Sequence, residues 1–243
     1  MLPRFYLKKS QINIENMLLP KDIITHIHVL RLRVNDSIEV IDGEGGVYTF
    51  LINEINKKQI KLSLLDCYNN VSINTIKLNL AIAVIQSDKF DLILQKAVEL
   101  GVDKIIPVFT QRTQGIKADR LQNKIEHWQK IIENSVCQCG QNILPILSPI
   151  MLINDFIDHS NQDSLNYLFS LVKTTENNLQ KGNIDIKEIN ILIGPEGGFV
   201  PEEENLAISK GFIPIKFGSL VLRSETAAIA GLSIMNMLYR NFI

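Results

Sequence analysis

From Ile76 onward, short apolar runs alternate with longer amphipathic stretches, and few folds can use that rhythm. The runs are Leu78–Ile85, Ile105–Phe109, Leu165–Val172, Ile189–Ile193 and Ile213–Phe217, each the length of a strand. Their near-continuous apolar character marks strands covered on both faces. Between them, Asp88–Leu100 sets Phe90, Ile93, Leu94, Ala97 and Val98 along one side of a helix, with Gly101 as its C-cap. Lys117–Ser135 reads as a second helix. Pro201 followed by Glu202, Glu203 and Glu204 opens a third, since a first turn favours proline and anions. Ser224–Tyr239 makes a fourth. The pattern predicts an α/β domain built on a parallel sheet with helices on both sides. Apolar residues make up 46% of the chain, enough to fill such a core.

Residues 1–72 have a different rhythm. Ser37–Asp42 and Val47–Ile52 read as two strands joined by Gly43-Glu44-Gly45-Gly46, where glycine supplies the positive φ that a tight turn demands. Ile60–Leu65 is a further strand, and only one helix is expected, near Asp22–Leu30. Several short strands with turns suggest a small β-barrel or sandwich. Two domains follow, 1–72 and 73–243, with the polar stretch Asn69–Asn74 as their linker.

The net charge of −1 argues against a nucleic-acid binder held by bulk electrostatics, but permits a local basic surface. No apolar run approaches the roughly 20 residues of a membrane-spanning helix. The opening MLPRFYLKKS lacks the apolar segment of a secretory signal, and three cysteines cannot all pair with one another. A cytoplasmic protein with reduced thiols is the expectation.

Two segments carry chemical signal. In Ile189–Phe199, INILIGPEGGF, an apolar strand runs straight into Gly194-Pro195-Glu196-Gly197-Gly198. Ligands of open parallel sheets bind beyond the carboxyl ends of strands, where glycine lets backbone come close. The loop is neither GxGxxG nor a Walker loop, so no dinucleotide or nucleoside triphosphate site is indicated. A plain strand-to-helix turn explains it equally well on its own. In Phe217–Ala228, FGSLVLRSETAA, another glycine ends another strand before a helix that Ser224 can cap and Glu225 suits electrostatically. Leu220-Val221-Leu222 is a very apolar lead-in for an exposed turn, and would wall an adenine ring or a methionine chain. Both loops follow C-terminal strands of one sheet, so both can line one pocket.

GPEGG followed by LRSETAA resembles the small-subunit ribosomal RNA methyltransferase E family of the SPOUT superfamily, which methylates N3 of a uridine in 16S ribosomal RNA. The likeness runs through nearly the whole chain. Arg4-Phe5-Tyr6 is similar to the family's opening, and His26–Asp36 to its histidine-then-VLR segment. Ile93–Gly101 is similar to its QKATELG helix, and Arg112 falls on a recurrent arginine.

The resemblance implies a PUA-like β-barrel that helps hold RNA, then a SPOUT domain whose parallel sheet ends in a trefoil knot, a topology otherwise very rare. It implies S-adenosylmethionine as cofactor, cradled by three loops. Those would be the turn at the end of Leu165–Val172, offering Leu171, then the loop with Gly194, Glu196, Gly197 and Gly198, then Gly218, Leu220 and Leu222. It also implies a homodimer acting on 16S ribosomal RNA, within the small ribosomal subunit. The last helix, with Ile229, Leu232, Ile234, Met235 and Leu238, would contribute to the dimer interface or to the intramolecular core.

Methylating uracil N3 displaces a proton and spreads negative charge toward O2 and O4, and a cation beside those oxygens would stabilise it. Arg223 is the candidate. Glu225 would orient it or act as base, the first being preferred at a helix start, and Thr226 would bond the uracil edge. RNA contacts are expected from Arg4, Lys8, Lys9, Arg31, Arg33 and Arg112, although any single surface cation is more often merely solvated.

The chain departs from the family pattern at Cys137-Gln138-Cys139-Gly140-Gln141, where a Glu-Gln-x-x-Arg sequence is usual. Asn35 stands for a common glycine, a mild change because asparagine tolerates the left-handed turn. Cys137 and Cys139 lack two further ligands of suitable spacing, so no metal is expected. A ribose 2′-O-methyltransferase acting on transfer RNA would carry an asparagine loop where this chain has Arg-Ser-Glu-Thr. A non-catalytic RNA-binding module is the other alternative.

Overall fold

The computed structural model describes residues 2–70, 75–113, 115–116, 118–160, 163–170 and 186–240. It divides into two compact units, Met1–Ile73 with Glu133–Leu144, and Asn74–Ile132 with Pro145–Ile243.

The first unit holds β1 (Arg4–Tyr6), α1 (Lys21–Val29), β2 (Ser37–Ile41), β3 (Gly46–Ile55) and β4 (Ile60–Asn69), in one sheet ordered β1-β2-β3-β4. Among the described residues no pairing runs from β4 back to β1. The β2–β3 turn is built as its residues require. Gly43 sits at φ +75°, and the Asp42 carboxylate accepts the backbone N–H groups of Glu44 and Gly46, each at 2.8 Å. Alternation along β2 and β3 sends Ile38, Val40, Phe50 and Ile52 inward, against Ile23, Ile24 and Ile27 of α1. Asn35 takes the left-handed conformation at φ +76°, as its side chain allows. Arg31 does so too, at φ +57°. It occupies the position after the helix cap where glycine is usual: its N–H bonds His28 O at 3.0 Å, and that of Leu32 bonds Ile27 O at 3.2 Å.

Glu133–Leu144, which the sequence pattern assigns to the second domain, belongs to this unit for a local reason. Gly45 N–H bonds Asn142 O at 3.1 Å, and Leu144 N–H bonds Gly43 O at 2.8 Å, so the segment adds to the glycine turn. The Cys137 thiol, here, is pushed up to about 12, chiefly by burial, which keeps it protonated and unreactive.

The second unit contains β5 (Lys77–Ala83), α2 (Ser87–Glu99), β6 (Lys104–Phe109), α3 (Ala118–Cys139, shared with the first unit), β7 (Ile146–Leu147), β8 (Met151–Leu152), α4 (Ile153–His159), β9 (Leu165–Phe169), β10 (Glu188–Ile193), α5 (Pro201–Ser209), β11 (Ile213–Ile215) and α6 (Ser224–Tyr239). Its sheet has the order β11-β9-β10-β5-β6-β7, with β8 also on β6, and every pairing is parallel. The expected strands and helices are found, but β7, β8 and α4 were not anticipated. Ala81, Ala83, Ile106, Val108, Leu168 and Leu192 pack with α4 and α5 residues on one face. Their neighbours in sequence point to the other face, where α6 lies on β5, β10 and α2.

Polar residues inside the sheet satisfy one another. Asn79, Asn190 and Asn166 lie in register on β5, β10 and β9. The Asn79 amide donates to Asn190 Oδ1 at 2.9 Å, and the Asn190 amide to Asn166 Oδ1 at 2.8 Å. Each amide would cost several kcal/mol if buried without a partner. No helix of the described residues is long and apolar enough to cross a membrane.

Candidate active site

Because all strands of the second unit run the same way, β5, β6, β9, β10 and β11 deliver their carboxyl ends to one edge. There the two glycine turns meet. A cavity of about 370 Å³ is walled by residues 193–199 on one side and by Phe217, Leu220, Val221 and Leu222 on another, with Phe169 and Ser170 at the end of β9. That volume lies within the range of small-ligand clefts, roughly 300–1,000 Å³.

The loop after β10 is folded by its glycines. Gly198, at φ +71°, closes a turn in which its N–H bonds Pro195 O at 2.8 Å. A Cβ at Gly194 would come within 3.1 Å of the buried Phe199 ring, so the loop lies directly on its own aromatic anchor. From outside, the Arg112 guanidinium donates to Gly197 O and, at 3.3 Å, to Phe199 O. Glu203, 3% exposed, accepts the N–H groups of Val200 at 3.0 Å and Gln111 at 2.8 Å, tying the start of α5 to the end of β6. Ser170 donates to Glu204 at 2.6 Å.

The second turn is joined to the first by one hydroxyl. Ser224 does not cap α6 with its side chain as its position suggests; the cap position is Arg223. Its Oγ donates instead to Gly194 O at 2.9 Å, and the residue is buried. A buried hydroxyl beside an open loop carbonyl gains more from that bond than from an exposed first turn. Leu220 and Val221 remain 75% and 72% exposed, a large apolar surface at the rim of the cavity.

Among the expected cofactor contacts, Gly194, Glu196, Gly197, Gly198, Leu220 and Leu222 line the cavity. Gly218 supplies the turn, at φ +62°, rather than a wall. Leu171 lies outside the described residues. Arg223 and Thr226 are exposed beside the cavity and Glu225 is half-buried. One oxygen of Glu225 is shielded from solvent and has no hydrogen-bond partner among the described residues.

Lys89, on the first turn of α2, was not expected here. Its ammonium donates to Glu196. That bond, foremost, holds its pKa above the ordinary lysine value, with the charge of Glu225 adding and that of Arg223 opposing. Four charged groups from three elements therefore meet beside the cavity. Sequence position alone, at the start of the helix after β5, was the only hint of Lys89.

The other expected RNA contacts divide. Lys8, Arg31 and Arg33 are exposed. Arg4 is corrected: its side chain is 5% exposed, pairs with Glu39 at 2.8 Å and bonds Gln141 O and Asn142, so it is spent on holding its own unit together. Lys9 is paired with Glu44 at 3.0 Å. On α6, Leu232 and Met235 are fully buried in the intramolecular core and cannot serve a dimer interface, whereas Met237 is 67% exposed.

Apolar walls and strand-end backbone fit a ligand with an aromatic base and a short aliphatic chain. Phe169 stacks edge-on against Phe217, ring centroids 4.7 Å apart, and Gly231 of α6 supports it from behind. A Cβ at Gly231 would lie 2.6 Å from the Phe169 ring. Gly231→Ala should therefore push Phe169 into the cavity, costing about 1–3 kcal/mol of stability despite the better helix propensity of alanine. Calorimetric affinity for S-adenosylmethionine, the cofactor that the resemblance implies, should fall with it; unchanged affinity would show that Phe169 does not shape the binding wall.

A doubly covered parallel sheet with a cleft of glycine turns at its carboxyl edge follows a small β-unit, and family models match the two as an RNA methyltransferase domain and its PUA domain. Residues 72–236 match the RNA methyltransferase domain family and residues 19–65 the RNA methyltransferase PUA domain family. The chain belongs to the ribosomal RNA small subunit methyltransferase E family. Its relative of that name from Rickettsia conorii is 31% identical, covering 88% of this chain and 87% of the relative. The one from Buchnera aphidicola (subspecies Acyrthosiphon pisum) is 27% identical over 99% of this chain and 95% of its own length. Among solved structures, the Neisseria gonorrhoeae ribosomal RNA small subunit methyltransferase E bound to S-adenosyl methionine superposes with a TM-score of 0.89, at 29% identity and full coverage of both chains, 100% each.

Proposed function

We propose that this chain transfers the methyl group of S-adenosylmethionine to N3 of a uridine in 16S ribosomal RNA, as a cytoplasmic homodimer acting on the small ribosomal subunit without a metal ion. The observation that carries the reading is the single cavity formed by residues 194–198 and 220–222, locked together by the Ser224 to Gly194 bond. The knotted path that the resemblance implies is not traced by the described residues.

When bound, S-adenosylmethionine supplies a methyl carbon activated by its sulfonium. Phe169, Phe217, Leu220 and Leu222 would enclose its apolar parts, and Gly194 and Gly197 would admit it close to backbone. The protein's part is to hold the uracil ring so that N3 faces that carbon, which can supply roughly 7–11 kcal/mol in favourable cases. Arg223 is exposed, forms no ion pair among the described residues, and can face O2 or O4 of the ring as negative charge grows there. Glu225 has one desolvated oxygen in want of a donor, suited to receiving the N3 proton or to steering Arg223. Thr226, exposed one residue on, can bond the ring edge. Leu220 and Val221 offer exposed apolar surface that a second copy would cover.

The test is mass spectrometry of nucleosides from ribosomal RNA of cells with and without this protein. Loss of 3-methyluridine is expected. A full complement of 3-methyluridine in cells lacking the protein overturns the reading.

A further inference from the structure

A second cavity, of about 930 Å³, adjoins the first and shares Arg112 and residues 195–197 as a common wall. Its opposite wall is the first half of α3, which presents Arg120, Asn123, Lys124 and His127. These positions fall at i, i+3, i+4 and i+7, one stripe of a helix, so their convergence follows from the periodicity. The stripe is polar and cationic, unlike the apolar lining of the neighbouring cavity.

The local charges do not cancel. Glu196 is engaged by Lys89, and His127 by Asp91 at 2.8 Å. The Arg112 guanidinium is held by carbonyls. Arg120 and Lys124 have no ion-pair partner among the described residues, Lys124 standing only 5.9 Å above the Trp128 ring. In a chain of net charge −1, two unmatched cations beside an amide in a roomy cleft form a place for an anion with hydrogen-bond acceptors. A phosphodiester has that chemistry.

We infer that this cavity seats the RNA strand that flanks the target nucleotide, with Arg120 and Lys124 holding backbone phosphates and Asn123 bonding sugar or phosphate oxygen. The inference rests on the methyltransferase reading for the identity of its ligand. The shared wall gives it consequence: a strand anchored on α3 brings its unstacked base over Glu196 and Gly197 toward the methyl donor, as single-stranded RNA recognition requires. The two cations position the strand and do not touch the reacting atoms.

The experiment uses the full chain with Arg120→Gln and Lys124→Gln combined, and small ribosomal subunits from cells lacking this protein. Filter binding between ~50 and ~200 mM salt gives the slope of log affinity against log salt. Loss of two phosphate contacts should flatten that slope by about 1.4 and weaken binding uniformly. Calorimetric affinity for S-adenosylmethionine and the melting temperature should match the wild type. Arg120→Lys should keep the slope. Lys210→Gln, which removes a cation paired with Asp158 elsewhere on the unit, should leave binding unchanged and so controls for bulk charge. If the double variant binds subunits with the wild-type slope and affinity, the site is refuted. If the wild type adds no methyl group to those subunits while the double variant still loses affinity and slope, the catalytic reading falls and the RNA site stands.

Discussion

Arg223→Ala should lower the rate of methyl transfer by roughly 10²–10³-fold while S-adenosylmethionine affinity stays within about twofold, the pattern of a group that acts on developing charge. The geometry separates the two effects. Leu222, Ser224 and Ala227 line the cavity, whereas the intervening Arg223 is not part of that lining and is solvent-exposed. Its backbone is nevertheless fixed, because the next residue is bonded to Gly194 O at 2.9 Å and buried. A cation so held costs little reorganisation when the uracil oxygens take up charge. Arg223→Lys should recover only part of the rate, since an ammonium cannot match the planar fork of a guanidinium at two oxygens. Single-turnover kinetics beside calorimetry reads both quantities. Full activity in Arg223→Ala removes the residue from the mechanism, whatever the cofactor does.

What the sequence discloses here depends on how far each signal reaches along the chain. The strands and helices of the second unit are legible because alternation and helical spacing are local. The helix at Ser224–Tyr239 is bounded in the structure as its pattern predicts. GPEGG and LRSETAA are legible as turns, and their meeting follows from parallel strands ending at one edge. The roles of single side chains are less visible. Ser224 looks like a cap because capping is a local preference, yet its hydroxyl serves a carbonyl 30 positions away. Arg4 looks like a surface cation, but the residues that bury it, Gln141 and Asn142, stand 137 and 138 positions on. The same distance hides why Glu133–Leu144 joins the first unit. Lys89 is invisible because nothing in SDKFDLIL tells a solvated first-turn lysine from one that faces Glu196 across the sheet edge. The strands β7 and β8, of two residues each, are too short for any periodicity to register.

Asp103→Ala should cost about 3–5 kcal/mol, the largest stability loss expected in the second unit, without a matching loss of intrinsic methyl-transfer rate. Asp103 is where the carboxyl end of α6 is fastened. Arg240, with a side chain 4% exposed, donates to Ile76 O at 2.9 Å, to Gly101 O at 2.6 Å and to the Asp103 carboxylate. Asp103 also accepts the N–H of Leu78 at 2.9 Å and the Lys77 ammonium at 3.1 Å. Removing the carboxylate leaves the Arg240 guanidinium buried with carbonyls but no counter-charge, and leaves the Leu78 N–H of β5 unanswered. Arg240→Met alone deletes the charge and should cost less. Combined with Asp103→Ala it should recover part of the loss, so a double-mutant cycle would show clear coupling. The melting temperature should fall by roughly 6–20 °C for the aspartate variant, taking about 2–4 °C per kcal/mol. Ser224 and Glu225 sit at the other end of the same helix, held there by Gly194 rather than by Asp103. Well below the melting transition, kcat should therefore stay near the wild-type value. A Asp103→Ala protein that melts normally would show that the clamp is idle. One that melts early and also loses kcat at low temperature would show that the two ends of α6 are mechanically one.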